Sequence, residues 1–145
     1  MTNSILRPAL AVLACTAALA FAAPSVAATV NMKAELKGAS EVPPNASGGT
    51  GSVAVAYDTD SKKLSWKGSV TGLSGPATAA HFHGPAEPGK NAGVAIPISG
   101  ADKGTFDGSA TLTDAQAKEL LDGKWYVNIH TATNKAGEIR GQLTK

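Results

Sequence analysis

Three histidines are the residues of this chain best suited to chemistry, and they occur in two motifs. His81 and His83 are separated by one residue, and His130 lies near the C-terminal end. Residues two apart on a strand point to the same face, so the first two imidazoles would stand roughly 6–7 Å apart. Imidazoles so placed can turn toward one ion, because metal–nitrogen distances are about 2.0–2.1 Å. The pattern makes all three histidines candidate ligands of copper or zinc. The alternative is that they only form hydrogen bonds to loops at the end of a sheet.

Other chemistries find little support in the sequence. The single cysteine, Cys15, lies in an N-terminal apolar run, and neither a Gly-x-Ser-x-Gly motif nor a phosphate-binding glycine loop is present. The net charge is only +2, without a block of Lys and Arg, which argues against a nucleic-acid partner. We therefore expect a binding module rather than an enzyme, and the sequence indicates no catalytic residue.

Residues 1–27 are typical of a secretory signal peptide. Arg7 supplies the positive charge, an apolar run rich in Ala and Leu follows, and small residues precede Ala28. We expect the mature protein to begin at Ala28 or Thr29 and to reach the periplasm or the outside of the cell. The alternative, lipid attachment at Cys15, would leave a second apolar run on the mature chain.

Residues 28–145 have the length and pattern of one β domain that does not span a membrane. Short segments of alternating apolar and polar residues are separated by turns rich in Gly, Pro, Asn and Asp. The one helical signal is a capping box formed by Thr113 and Gln116. This pattern predicts an all-β, antiparallel, Greek-key-like β-sandwich of about seven or eight strands with one short helix. Trp66 and Trp125 are expected to anchor its core.

The last two predicted strands, 125–130 and 138–143, can be aligned by their apolar positions. An antiparallel register that opposes Ile129 and Ile139 keeps apolar residues on one face. The resulting pairs on the polar face are Asn128 with Arg140 and His130 with Glu138. Glu138 is thereby a candidate to orient the imidazole of His130. The alternative is that Glu138 forms only an ordinary cross-strand charge pair, with Arg140 nearby. Arg140 and Asn128 are expected to support the histidines or the fold around them.

Four motifs resemble the CHRD domain, a family named after the animal protein chordin that also occurs as a single secreted unit in many bacteria. The motifs are LKGASEVPP at 36–44, AHFHGPA at 80–86, VNIHT at 127–131 and GEIRGQL at 137–143. The resemblance covers nearly all of residues 28–145 and implies one secreted β domain. A weaker similarity is to copper/zinc superoxide dismutase, another β-sandwich with His-x-His on a strand. Three histidines are too few for the two-metal site of that enzyme.

Two functions are therefore open at the level of sequence. The first is a secreted or periplasmic binding module that holds copper or zinc through His81, His83 and His130. The second is a structural or protein-interaction β-sandwich without a metal, whose partner the sequence does not identify. A metalloenzyme like superoxide dismutase is the least favoured of the possibilities.

Overall fold

The computed structural model describes residues 28–145. The expected signal peptide and the lipidation alternative at Cys15 lie outside the described residues. Within the described part, eight strands and one α-helix follow one another along the chain. Their bounds are β1 Thr29–Lys37, β2 Thr50–Asp58, β3 Lys63–Thr71, β4 Ala77–His83, β5 Val94–Pro97, β6 Thr105–Thr111, α1 Asp114–Leu121, β7 Tyr126–Thr131 and β8 Ile139–Gln142.

The strands form one continuous antiparallel sheet in the order β5-β4-β7-β8-β1-β2-β3-β6. This sheet curls around a single core, since Trp66 of β3 packs edge-on against Phe82 of β4 with ring centroids 5.2 Å apart. The predicted all-β antiparallel fold with one helix is confirmed. The structure differs from the predicted β-sandwich in one respect. The two walls that face each other across the core belong to one continuous, nearly barrel-shaped sheet and not to two separate sheets.

Local sequence signals explain the ends of several elements. The hydroxyl of Thr113 accepts a hydrogen bond from the Gln116 N–H, and the Gln116 side chain accepts one from the Thr113 N–H, which completes the predicted capping box of α1. Gly123 follows the helix with a φ of 75°, a conformation that favours glycine. Pro97 ends β5, which lies at the edge of the sheet as its proline predicts.

Both tryptophans lie in the core, as their alternation with apolar neighbours predicts. Trp125 is completely buried and Trp66 is 6% exposed. Two glycines leave room for the indole rings, because a Cβ built on Gly84 would lie 2.2 Å from Trp125 and one on Gly108 would lie 2.5 Å from Trp66. The core therefore requires glycine at these two positions.

We predict that Trp125→Ala or Trp66→Ala lowers the free energy of unfolding by about 3–5 kcal/mol, because each leaves a large cavity in the core. Denaturant-induced unfolding of each variant measures this change. Val94→Ala is the matched control, since Val94 is 55% exposed and its truncation should change stability by less than about 0.5 kcal/mol. A loss below about 1 kcal/mol for either tryptophan variant would contradict its place in the core.

Candidate metal centre

Two adjacent strands bring the histidines to one outer face of the sheet. On β4, Phe82 is completely buried, so His81 and His83 on either side of it face away from the core. On β7, Ile129 is completely buried, so the next residue, His130, also faces outward. Because β4 and β7 pair directly, the three imidazoles meet on the same side of the sheet.

The distances between the imidazoles fit a shared ion. One nitrogen from each histidine can be chosen so that all three lie within 4.8 Å of one another. His81 Nδ1 and His130 Nε2 are 3.3 Å apart. Two ligands of a tetrahedral ion, each at about 2.05 Å, lie roughly 3.3–3.4 Å apart. One edge of the cluster already has the separation that a tetrahedral ion requires, and the third ligand must move inward to complete the site.

Backbone carbonyls fix the tautomers of two of the three rings. His83 Nδ1 donates to the Ala92 carbonyl oxygen at 3.0 Å, and His130 Nδ1 donates to the Lys135 carbonyl oxygen at 2.9 Å. A neutral ring that donates through Nδ1 keeps its lone pair on Nε2, the atom that a metal would bind. In the part of the chain that the structure describes, His83 Nε2 is buried and has no hydrogen-bond partner. Such a group calls for an explanation, and a bound ion supplies one.

The surroundings of His81 and His83 favour the neutral form of the ring, which is the form that binds metals. Burial, followed by the neighbouring His130, lowers the pKa of His81. Burial also lowers the pKa of His83, although its hydrogen bond to the Ala92 carbonyl acts in the opposite direction. Both rings therefore lose their proton more readily than a free histidine.

An aromatic ring missed by the sequence analysis forms one wall of the centre. The ring of Tyr126 stacks on that of His83, with centroids 4.9 Å apart and an angle of 3° between the planes. The guanidinium carbon of Arg140 lies 3.4 Å from the Tyr126 ring centroid. The alternation of β7 places Tyr126 on the outer face with His130, so the sequence does indicate that the two residues share a face. Pattern alone does not show which strand pairs with β7, and it is β4 that sets Tyr126 opposite His83.

Asn128 and Arg140 both lie beside the centre, opposite one another in the predicted register. The Asn128 amide donates to a carboxylate oxygen of Glu41 at 2.6 Å, while Arg140 donates to the Asn91 side chain and to the Lys90 carbonyl. Burial raises the pKa of Glu41 to about 7, although the Arg140 charge and the hydrogen bonds that its carboxylate accepts act to lower it. Glu41 belongs to a Gly- and Pro-rich segment without periodicity, so no sequence pattern indicates this contact.

Glu138 lies in a different place from the one that the register implied. The predicted pair of Ile129 and Ile139 is present, but the Glu138 carboxylate does not meet His130. It is completely buried and accepts hydrogen bonds from the hydroxyls of three residues, and from one backbone N–H as well. These hydroxyls belong to Ser47, Ser74 and Thr131. Strand β8 begins only at Ile139, so the alternation does not extend to Glu138, and the Lys135 carbonyl orients His130 instead.

The hydrogen bonds of Glu138 determine its charge. Burial alone would raise the pKa of this carboxyl group, but the donors from Ser74, Thr131 and Ser47 together lower the pKa to about 2. The ionised carboxylate therefore joins the loop that contains Ser47, the turn that contains Ser74 and the end of β7. Its role is structural.

The fold and the cluster define a single all-β domain that carries three converging histidines on its outer face. The family model for the CHRD domain matches residues 32–143, and the chain therefore belongs to the CHRD domain family. Searches of curated proteins and of solved structures find no match. Within residues 28–145, no helix has the length and apolar character needed to span a membrane.

We predict that acid destabilises this protein partly through Glu138. Its folded-state pKa of about 2 is below the ordinary value of 4.5, so its contribution to stability is complete above pH 4.5 and is lost as the pH falls toward 2. Glu138→Gln removes the ionised acceptor and should cost about 2–3 kcal/mol at pH 7. Denaturant unfolding of both proteins at several pH values should show this difference shrinking between pH 4.5 and pH 2. A difference that is constant with pH would contradict the assignment.

Proposed function

We propose that this CHRD domain is an exported binding module that holds one copper or zinc ion through His81, His83 and His130. The observation that carries the proposal is the buried, unpartnered Nε2 of His83 beside two further imidazoles in the same cluster. Export is supported by the signal-peptide pattern of residues 1–27.

The donor set favours these two metals over others. Three neutral imidazoles suit zinc and copper, whereas magnesium and calcium prefer ligand sets made of oxygen. No carboxylate joins the three histidines in the candidate cluster within the described residues. Each of the three histidines would supply one nitrogen, with His83 and His130 already presenting Nε2.

Three protein ligands leave a coordination position for water or for a group on a partner molecule. When bound, the metal would supply a Lewis acid or, in the case of copper, a redox centre at this position. The chain's own residues would hold the ion and exclude water from one side, where the His83 ring is covered by Tyr126. Among the described residues the candidate cluster consists of the three histidines alone, which is a set of metal ligands, and we therefore propose binding rather than catalysis.

The second candidate function is a structural or protein-interaction module without a metal. The observation in its favour is the 3.3 Å distance between His81 Nδ1 and His130 Nε2, which is also acceptable for a hydrogen bond between two imidazoles. In this case the histidines would only tie β4 to β7 and to the loops around them. His83 Nε2 would still be left buried and without a partner, so the metal-binding function explains more of the geometry.

The test is titration of copper(II) or zinc into the purified mature protein, followed by calorimetry. We predict one tight site per chain and a loss of affinity of at least about 100-fold in His130→Ala, because removing a ligand costs more than the 10–100-fold typical of a supporting residue. The unfolding transition of the metal-free variant should stay cooperative.

Lys135→Ala is the matched control, since it changes a neighbouring side chain but keeps the carbonyl that orients His130. It should bind the metal like the unmodified protein. Equal affinity in His130→Ala and the unmodified protein would assign all three histidines to the structural function.

A further inference from the structure

The three candidate ligands differ in how firmly the protein holds them. His81 has His130 as its partner, and His130 has one backbone carbonyl on its other nitrogen. His83 is bonded to the Ala92 carbonyl at its edge and covered by Tyr126 across its face.

Tyr126 is held by the same backbone group that orients His83. The Ala92 N–H donates to the Tyr126 hydroxyl at 3.1 Å, and this hydroxyl lies 3.3 Å from the Ala92 carbonyl oxygen. The ring of Tyr126 is only 3% exposed, so it has little freedom to move. The segment that contains Ala92 and the Tyr126 ring together surround His83 on two sides.

Arg140 joins both parts of this support. Its guanidinium lies over the Tyr126 ring, 3.4 Å from the centroid. It also donates to the Asn91 side chain at 2.8 Å and to the Lys90 carbonyl. Lys90 and Asn91 are the two residues that precede Ala92. Arg140 is 2% exposed, and no carboxylate among the described residues forms an ion pair with it. A buried guanidinium is costly unless other groups stabilise it, and here an aromatic face and two acceptors do so.

On the basis of the metal site proposed above, we propose that Tyr126 and Arg140 are positioning residues that hold His83 in its metal-binding orientation. Neither residue contacts the ion. Tyr126 fixes the plane of the His83 ring, and Arg140 fixes Tyr126 together with the segment whose Ala92 carbonyl sets the tautomer of that ring. The affinity of the site for copper or zinc then depends on a guanidinium that is separated from the ligand His83 by one intervening residue, Tyr126.

Arginine is suited to this position in a way that lysine is not. Its planar group can lie flat on an aromatic ring while its edge donates to two acceptors at once, whereas an ammonium is a compact point charge. The contacts of Arg140 use both properties, with the ring of Tyr126 on its face and Asn91 and Lys90 at its edge. Arg140→Lys should therefore keep the buried charge but lose the positioning.

The test uses copper(II) as the probe on the mature chain, with affinity measured by titration and coordination measured by electron paramagnetic resonance. In Arg140→Met and Arg140→Lys we expect the affinity to fall about 10–100-fold, the range found when partners of metal ligands are removed. The nitrogen hyperfine pattern should change from three equatorial imidazoles to two. A role in stability alone would not change this spectrum. Tyr126→Phe keeps the stacked ring and should lose less affinity than either variant at Arg140.

Lys67→Met is the matched control, because it also replaces a cation by methionine, but at an exposed position of β3, a strand that pairs with neither β4 nor β7. It should bind copper with the unmodified affinity and spectrum. If Arg140→Met does not fold, Arg140→Lys alone decides the matter. Unmodified binding and spectrum in the folded Arg140 variants, with binding lost in His130→Ala, would overturn the positioning role and leave the metal site intact. Failure of the unmodified protein to bind copper or zinc would overturn both proposals.

Discussion

The direct pairing of β4 with β7 is the constraint on which the candidate site depends. Phe82 on β4 and Ile129 on β7 must enter the core, because each is large, apolar and completely buried. The residues next to them in sequence then have to lie on the outer face. With the two strands adjacent, His81, His83 and His130 come together without any special loop. The geometry of the cluster is thus a direct consequence of core packing.

Covering this outer face with loops gives the domain a second, polar interior. Arg140 and Gln142 hold the segment between β4 and β5, while Asn45 donates to the Gly137 and Glu138 carbonyls and so fixes the segment between β1 and β2. Buried polar groups are costly unless they find partners, and most of them here do. Among the described residues, the buried side-chain polar atoms without a partner belong to Trp66, His83 and Asn128. Of these, only His83 lies in a cluster that could hold a metal.

The sequence was sufficient to predict much of the fold, since alternation and turn residues report directly on which face of a strand is buried. The register of the last two strands followed from keeping Ile129 opposite Ile139, and the helix start followed from Thr113 and Gln116. The pairing of β4 with β7 did not follow, because alternation identifies faces but not neighbours. Glu138 was misplaced for a related reason, as the alternation was extended one residue beyond the start of β8.

Much of the support around the histidines was beyond the reach of pattern reasoning. The carbonyls of Ala92 and Lys135 orient two imidazoles, and a backbone group has no residue type by which a sequence could reveal it. Glu41 and Asn91 act from loops whose composition predicts only that they are loops. Tyr126 could be assigned to the outer face, but its contact with His83 depends on strand adjacency.

Whether the three histidines bind one ion together can be measured by X-ray absorption spectroscopy of the zinc-loaded mature protein. We predict a first coordination shell that includes three imidazole nitrogens at about 2.0–2.1 Å, with the outer-shell scattering that intact imidazole rings produce. A first shell made of oxygen atoms, or one with a single imidazole, would contradict it.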